Sequence, residues 1–93
     1  MSKYEVMYII RPQVEAEARK GLIEEIKQIF ISRGSESVEV NEWGMRELAY
    51  EIAECRKGYY VVLTVLANAE AINEFDRIAR IKEDIIRHIV VKR

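Results

Sequence analysis

The fold is decided by residues 37–66, which read SVEVNEWGMRELAYEIAECRKGYYVVLTVL. Ser37–Ile52 alternates apolar and polar residues over much of its length, a period-two pattern that is typical of strands. Tyr59–Leu66 is β-branched and aromatic at both parities, as expected of a central strand. The polar residues Glu54–Gly58 lie between them and predict a turn. The middle of the chain is therefore predicted to be an antiparallel strand pair.

Trp43-Gly44 interrupts the first of these two strands, and a glycine at that position indicates a bulge or bend. We expect the bend to return the apolar side chains that follow it to the parity of those that precede it. The side chains before the bend are Val38 and Val40, and those after it are Leu48, Tyr50 and Ile52.

One helix and one strand are predicted on each side of this strand pair. Lys3–Ile10 is rich in Tyr, Val and Ile and predicts a strand. Val14–Arg33 places apolar residues at spacings of three and four and is followed by Gly34, a pattern that predicts a helix with a left-handed C-terminal cap. A second helix is predicted after Asn68, a candidate N-cap. Ile85–Lys92 is the last predicted strand.

The predicted order is β-α-β-β-α-β in a single domain over residues 1–93, which is too short a chain for two cores. Right-handed crossovers place both helices on one face of a four-stranded antiparallel sheet. The fold class is therefore α+β, of the ferredoxin-like split βαβ type. We expect Val6, Leu63, Val65 and Val90 to face the helices.

The other face of this sheet has no helix to cover it, yet its side chains are apolar. With the parity above, this face carries Met7, Ile9, Tyr60, Val62 and Ile89. Exposed patches of this kind mark interaction surfaces, so we predict that they form a docking face for another macromolecule. The alternative is that the sheet curls or a loop covers the patch.

The charge of the chain is unevenly distributed, although its net value is only −1. Residues 77–93 contain six basic and two acidic residues, a net charge of +4, and residues 1–76 therefore carry 9 − 14 = −5. A basic segment that ends an acidic chain indicates a polyanionic partner. The alternative is a solvated helix face with ion pairs, such as Arg80 with Asp76 or Asp84.

Catalytic and metal-binding patterns are absent from the sequence. His88 is the only histidine and lies in a predicted strand, and Cys55 is the only cysteine, which also excludes an internal disulfide and is typical of a reducing cytoplasm. No glycine-rich phosphate loop or paired carboxylates occur. We therefore predict neither an enzyme nor a metal or cofactor site. The N-terminus enters a strand pattern directly and no apolar run approaches 20 residues, so we expect neither a signal peptide nor a membrane span.

Residues 57–64 (KGYYVVLT) match the core of RNA recognition motifs only in part. The opening Lys-Gly-aromatic agrees, but Tyr60 replaces a small residue, and Val61 and Thr64 replace aromatic ones. Because bases bind that core by stacking on paired rings, the lack of a second ring argues against the same site here.

A closer resemblance rests on residues 43–52 (WGMRELAYEI) and 57–60 (KGYY), with the two ends KYEV and RHIVVKR. These strings resemble the bacterial small-subunit ribosomal protein S6 family over essentially the whole chain. Two departures are that Glu51 stands where many members have proline, and that the chain stops at Arg93, whereas some members continue into a tail.

The resemblance implies a structural, non-enzymatic constituent of the small ribosomal subunit in the cytoplasm. It would bind the central domain of 16S rRNA together with the small basic ribosomal protein S18. The implied RNA-binding residues are Lys3, Tyr4, Arg46, Arg80, Arg87, His88, Lys92 and Arg93. The alternative function is a ferredoxin-like module that self-associates through the same sheet face to sense a ligand, or that recognises RNA.

Overall fold

The structure, a computed structural model, describes all residues from Met1 to Arg93. Its elements are β1 (Ser2–Ile10), α1 (Ala16–Ser32), β2 (Ser37–Ile52), β3 (Cys55–Ala67), α2 (Ala69–Ile81) and β4 (Ile85–Lys92). The four strands form one antiparallel sheet in the order β2-β3-β1-β4. This arrangement confirms the predicted α+β, ferredoxin-like order.

Local sequence signals define the ends of both helices. The backbone N–H of Ala71 donates a 2.9 Å hydrogen bond to Oδ1 of Asn68, which is therefore the N-cap of α2 as predicted. Gly34 follows α1 with a φ of +77°, the left-handed conformation that glycine adopts without steric cost. Neither helix is both long enough and apolar enough to cross a membrane.

The core lies between the helices and one face of the sheet. The predicted helix-facing residues Val6, Leu63, Val65 and Val90 all pack in or against this core, so the predicted parity is confirmed. Phe75 of α2 contacts the core aromatic ring of Tyr8, with centroids 6.0 Å apart. Fully burying one such apolar side chain contributes about 1.5–3 kcal/mol, so the helices are firmly held on this face. The opposite face, called the open face below, has no helix.

The turn between β2 and β3 is tighter than predicted. Ile52 pairs with Cys55, so that only Ala53 and Glu54 form the loop, with φ values of +49° and +64°. The prediction of a turn over residues 54–58 was wrong. Cys55–Gly58 begin β3 instead, where Arg56 and Lys57 are exposed and Cys55 and Gly58 are buried.

The bulge predicted near Gly44 is present, but its consequence is the reverse of the expected one. Glu42 pairs with Val61 and Gly44 pairs with Tyr60, which leaves Trp43 as an extra residue, and Gly44 has a φ of +92°. One inserted residue shifts a period-two alternation by one step. Even-numbered side chains therefore face the helices before the bulge and the open face after it.

The expectation that the apolar residues after the bulge face the core was accordingly wrong. None of these residues belongs to the core cluster, and all three lie on the open-face side of the hairpin. They are Leu48, Tyr50 and Ile52.

Candidate protein and nucleic-acid interfaces

The five residues predicted as a docking face all lie on the open face. They are neighbours across three strands, since Met7 pairs with both Val62 and Ile89, and Ile9 pairs with Tyr60. Their exposure is uneven: Ile89 is 37% exposed, whereas Ile9 and Val62 are 2% and 8% exposed. The patch is therefore partly covered, as the alternative interpretation of the sequence anticipated.

The end of the β2–β3 hairpin provides this cover by lying against the open face. Between hairpin and sheet is a largely apolar groove of about 120 Å³, called the open-face groove. Its lining residues are Met7, Ile9, Leu48, Ala49, Tyr50, Ile52, Tyr60, Arg87 and Ile89. Arg87 of β4 donates a hydrogen bond from Nη1 to the hydroxyl of Tyr50, which ties the hairpin to the opposite edge of the sheet.

Gly58 allows the close packing beneath this groove. A Cβ atom built on Gly58 would lie closer than 3.0 Å to Cγ2 of Ile9. The side chain of Ile9 therefore occupies the space that any other residue at position 58 would need. This contact explains the burial of Ile9 on a face that has no helix.

An aromatic stack lies on the open face at the β2 side. The ring centroids of Trp43 and Tyr60 are 6.3 Å apart with an interplanar angle of 7°, and Cζ of Arg46 lies 5.2 Å from the Trp43 centroid. Trp43 is 44% exposed. We refer to these three residues as the Trp43 stack. The sequence does not indicate this cluster, because Arg46 reaches the open face only through the one-residue shift at the bulge.

The predicted RNA-binding residues divide between the two edges of the sheet. Arg46 lies on β2, at one edge, whereas the others lie on β4, on the adjacent β1, at the C-terminus or on α2. The second group, called the β4-edge residues, comprises Lys3, Tyr4, Arg80, Arg87, His88, Lys92 and Arg93. The structure thus brings seven of the eight towards one edge and leaves one apart.

Several of these side chains already have partners within the chain. Asp76 accepts a hydrogen bond from His88 at 2.8 Å and pairs with Arg80 at 3.0 Å, the ion pair that the alternative interpretation of the charge had named. The hydrogen bond from His88, together with the charge of Arg80, holds the pKa of the Asp76 carboxyl below its ordinary value. Arg93 pairs with Glu5 at 3.1 Å. The pair of Arg93 with Glu5 is exposed, whereas the hydrogen bond of His88 with Asp76 is partly buried.

Four predicted basic residues, Lys3, Arg46, Arg87 and Lys92, have no acidic group within ion-pair distance. The chain's eight ion pairs include none of these four. Their charges are therefore not neutralised within the protein. Tyr4 packs against the core, so only part of its ring is accessible.

No group of three or more His, Cys, Asp or Glu side chains is arranged to hold a metal ion. The largest depression, about 560 Å³ at the hairpin tip, is lined by two glutamates, one arginine and one lysine with Leu48 and Tyr50. Its opposite charges offset one another, and it therefore has no net charge to select an ion.

Comparison with known proteins agrees with this geometry. The sequence profile of ribosomal protein S6 matches residues 3–92. The crystal structure of 30S ribosomal protein S6 from Thermotoga maritima is similar with a TM-score of 0.88 and 34% sequence identity, over 99% of this chain and 87% of that one. The chain therefore belongs to the ribosomal protein S6 family and is an RNA-binding protein of the small subunit of the cytoplasmic ribosome.

Proposed function

We propose that this chain is a structural, non-enzymatic component that binds the central domain of 16S rRNA together with the small basic ribosomal protein S18. The observation that carries the proposal is the pairing of two surfaces on one sheet. An apolar open face suits a protein partner, and the β4-edge residues suit a phosphate backbone.

The protein partner is assigned to the open-face groove and the side chains around it. Ile89 and Met7 offer apolar contact at its rim, and residues 1–76 carry a net charge of −5, which favours association with a basic protein. A basic partner would also supply positive charge that a chain of net charge −1 lacks. The near-neutral composition is thus compatible with RNA binding by the pair.

The rRNA is assigned to the β4-edge residues. Lys3 and Lys92 take part in none of the ion pairs of the chain and are free to contact phosphates. Arg80 and Arg93 would exchange a carboxylate for a phosphate, and His88 lies beside Arg80 through their shared partner Asp76. Phosphate contacts of this kind position RNA without selecting its sequence.

The protein interface is tested by Ile89→Asp, with Ile81→Asp as the matched control. Ile89 is 37% exposed at the groove, whereas Ile81 is 60% exposed on α2, so the same change is made on opposite sides of the molecule. Losing an anchor residue costs about 1 kcal/mol or more, and Ile89→Asp should weaken S18 binding about fivefold or more in calorimetric titration. Equal affinities of both variants would refute the assignment. A stable homodimer that does not bind S18 in size-exclusion chromatography would favour the self-associating alternative.

The RNA interface is tested by Lys92→Ala, with Lys20→Ala on α1 as the control. If Lys92 contacts a phosphate, its loss should weaken binding of the two-protein complex to central-domain RNA across sequences. It should also reduce the salt slope by about one unit. Arg87→Ala should act in the same direction, but it also releases Tyr50 from its hydrogen bond, so Lys92 is the cleaner test. Unchanged affinity and slope for Lys92→Ala would contradict the assignment.

A further inference from the structure

We propose that the Trp43 stack is a platform on which one unpaired RNA base stacks, separate from the phosphate contacts of the β4-edge residues. The inference rests on the RNA binding of the proposed function and adds a base-stacking site on the opposite side of the sheet. The site consists of the indole of Trp43, the ring of Tyr60 and the guanidinium of Arg46.

The geometry of the stack supplies the planar surface that a base requires. Trp43 and Tyr60 are nearly parallel, with 7° between their planes, and the indole is 44% exposed. Single-stranded RNA is commonly held by bases stacked on such rings or on arginine planes, because every base has a π-face. An exposed tryptophan that is already held by a stacked neighbour loses little freedom when a base is added.

The stack also supplies the ring that the sequence comparison with RNA recognition motifs found missing. Tyr60 lies on the central strand β3, but Val61 and Thr64 cannot stack with a base. Trp43, the extra residue of the bulge in the neighbouring strand, lies on the same face next to Gly44, which pairs with Tyr60, and its ring stacks with that of Tyr60. Two rings therefore meet on the open face, although one strand alone contributes only one.

Charge favours RNA over a protein side chain as the occupant. Cζ of Arg46 lies over the Trp43 ring, 5.2 Å from its centroid, and Arg46 takes part in none of the ion pairs of the chain. Glu42 pairs opposite Val61 on the helix-facing side of the sheet and accepts a hydrogen bond from Tyr59 there. An unneutralised cation beside an aromatic platform attracts a nucleotide phosphate and repels the basic partner assigned to the rest of the open face.

The experiment uses Trp43 as its own reporter, since it is the only tryptophan of the chain. The full chain is titrated with a single-stranded 12-nucleotide RNA of mixed sequence, and tryptophan emission is followed. Stacking of a base on the indole should quench this emission. Since one stacked base contributes about 1–3 kcal/mol, Trp43→Leu should raise the Kd about 5- to 150-fold in the anisotropy of labelled RNA.

Two further comparisons keep the test independent of folding. Trp43→Phe preserves an aromatic plane and should retain most of the affinity, so a loss in Trp43→Leu alone reports stacking. Arg46→Ala should weaken binding and reduce the salt slope by about 0.7. Arg19→Ala is its matched control, because Arg19 lies over Tyr59 at 3.9 Å on the helix-facing side, and it should bind as the unmodified chain does.

The possible outcomes separate this inference from the proposed function. No quenching at saturating RNA, or equal affinities of the Leu and Phe variants of Trp43, would overturn the inference. Quenching by S18 but not by RNA would assign the stack to the protein interface and would also overturn it. Central-domain RNA binding that depends on Lys92 but not on Trp43 would refute the inference alone. The absence of any RNA binding by the chain with S18 would refute the proposed function.

Discussion

Replacing Gly58 with alanine tests whether the open face is packed as tightly as the structure indicates. The added Cβ would lie closer than 3.0 Å to Cγ2 of Ile9 and would also meet the carbonyl oxygen of Ile10 at 3.6 Å and Cδ1 of Ile86 at 3.7 Å. Ile9 lies on a central strand, is 2% exposed and is β-branched, so its side chain has few other rotamers. The clash must therefore move the strand or the hairpin.

The size of the effect follows from two opposing contributions. Overpacking by one methyl group costs about 1–3 kcal/mol. Gly58 does not lie in the left-handed region. Alanine at this position therefore also stabilises the folded protein by about 0.4–1 kcal/mol, because it reduces the conformational entropy of the unfolded chain. We expect a net loss of about 1–2 kcal/mol in the free energy of unfolding. With m near 1–2 kcal/mol/M, the urea midpoint should fall by about 1 M.

Urea melts should include Gly21→Ala as the control and Ile9→Ala as a double-mutant partner. Gly21 is helical with no atom within 4 Å of a built Cβ, so alanine should stabilise there by about 0.5–1 kcal/mol. Removing Cγ2 with Ile9→Ala should abolish the extra cost of Gly58→Ala. Additive effects of Gly58→Ala and Ile9→Ala, or a Gly58→Ala midpoint equal to that of the unmodified chain, would refute the packing argument.

Three other substitutions test the backbone and one ion-pair cluster. The Cβ atom added by Gly44→Ala would meet no neighbouring atom, but the alanine must adopt a φ of +92°. We therefore expect urea melts to show a loss of about 1 kcal/mol or more in the free energy of unfolding. The RNA affinity of the folded protein should be unchanged. Glu54→Gly relieves a φ of +64° in the hairpin turn and should stabilise by about 0.5–1 kcal/mol; a lower midpoint would contradict this. The pKa of Asp76 is lowered by His88 and Arg80, so its contribution should be present above about pH 4 and lost as pH falls further. The stability difference between the unmodified chain and Asp76→Asn should therefore shrink in melts from pH 6 to pH 2, and a constant difference would contradict it.

Local sequence patterns predicted most of the fold, because the interactions that form its helices and strands join residues close together in the sequence. The observed bounds of β2 and β4, Ser37–Ile52 and Ile85–Lys92, equal the predicted ones. The capping of α2 by Asn68 involves atoms three residues apart, and the helix spacing depends on which residues share one face. Helix-facing parity had to be assumed, because both parities of the strands are apolar, and the packing of Val6 and Leu63 in the core confirms the choice.

The position of the hairpin on the open face could not be predicted. Alternation of apolar and polar residues shows which side chains share a face of a strand, but not which face of the sheet that is. Gly44 indicated a bulge correctly, yet the sequence does not state whether the bulge adds one residue to the strand or only bends it. One added residue moves Leu48 and Tyr50 to the other face. The open-face groove and the position of Arg46 in the Trp43 stack both follow from that single insertion, and for this reason both were missed.

The ion pairs at the β4 edge are compatible with the RNA contacts proposed for the same residues. Arg80 and Asp76, four residues apart on α2, were predictable as a pair, whereas Arg93 and Glu5 meet only because β4 lies beside β1. Exposed pairs of this kind contribute about 0–1 kcal/mol. A phosphate that replaces the carboxylate would lose little of that contribution and would release a condensed counterion. The internal pairs therefore orient these arginines at the β4 edge. Because each pair is weak, a phosphate can replace the carboxylate with little loss of stability.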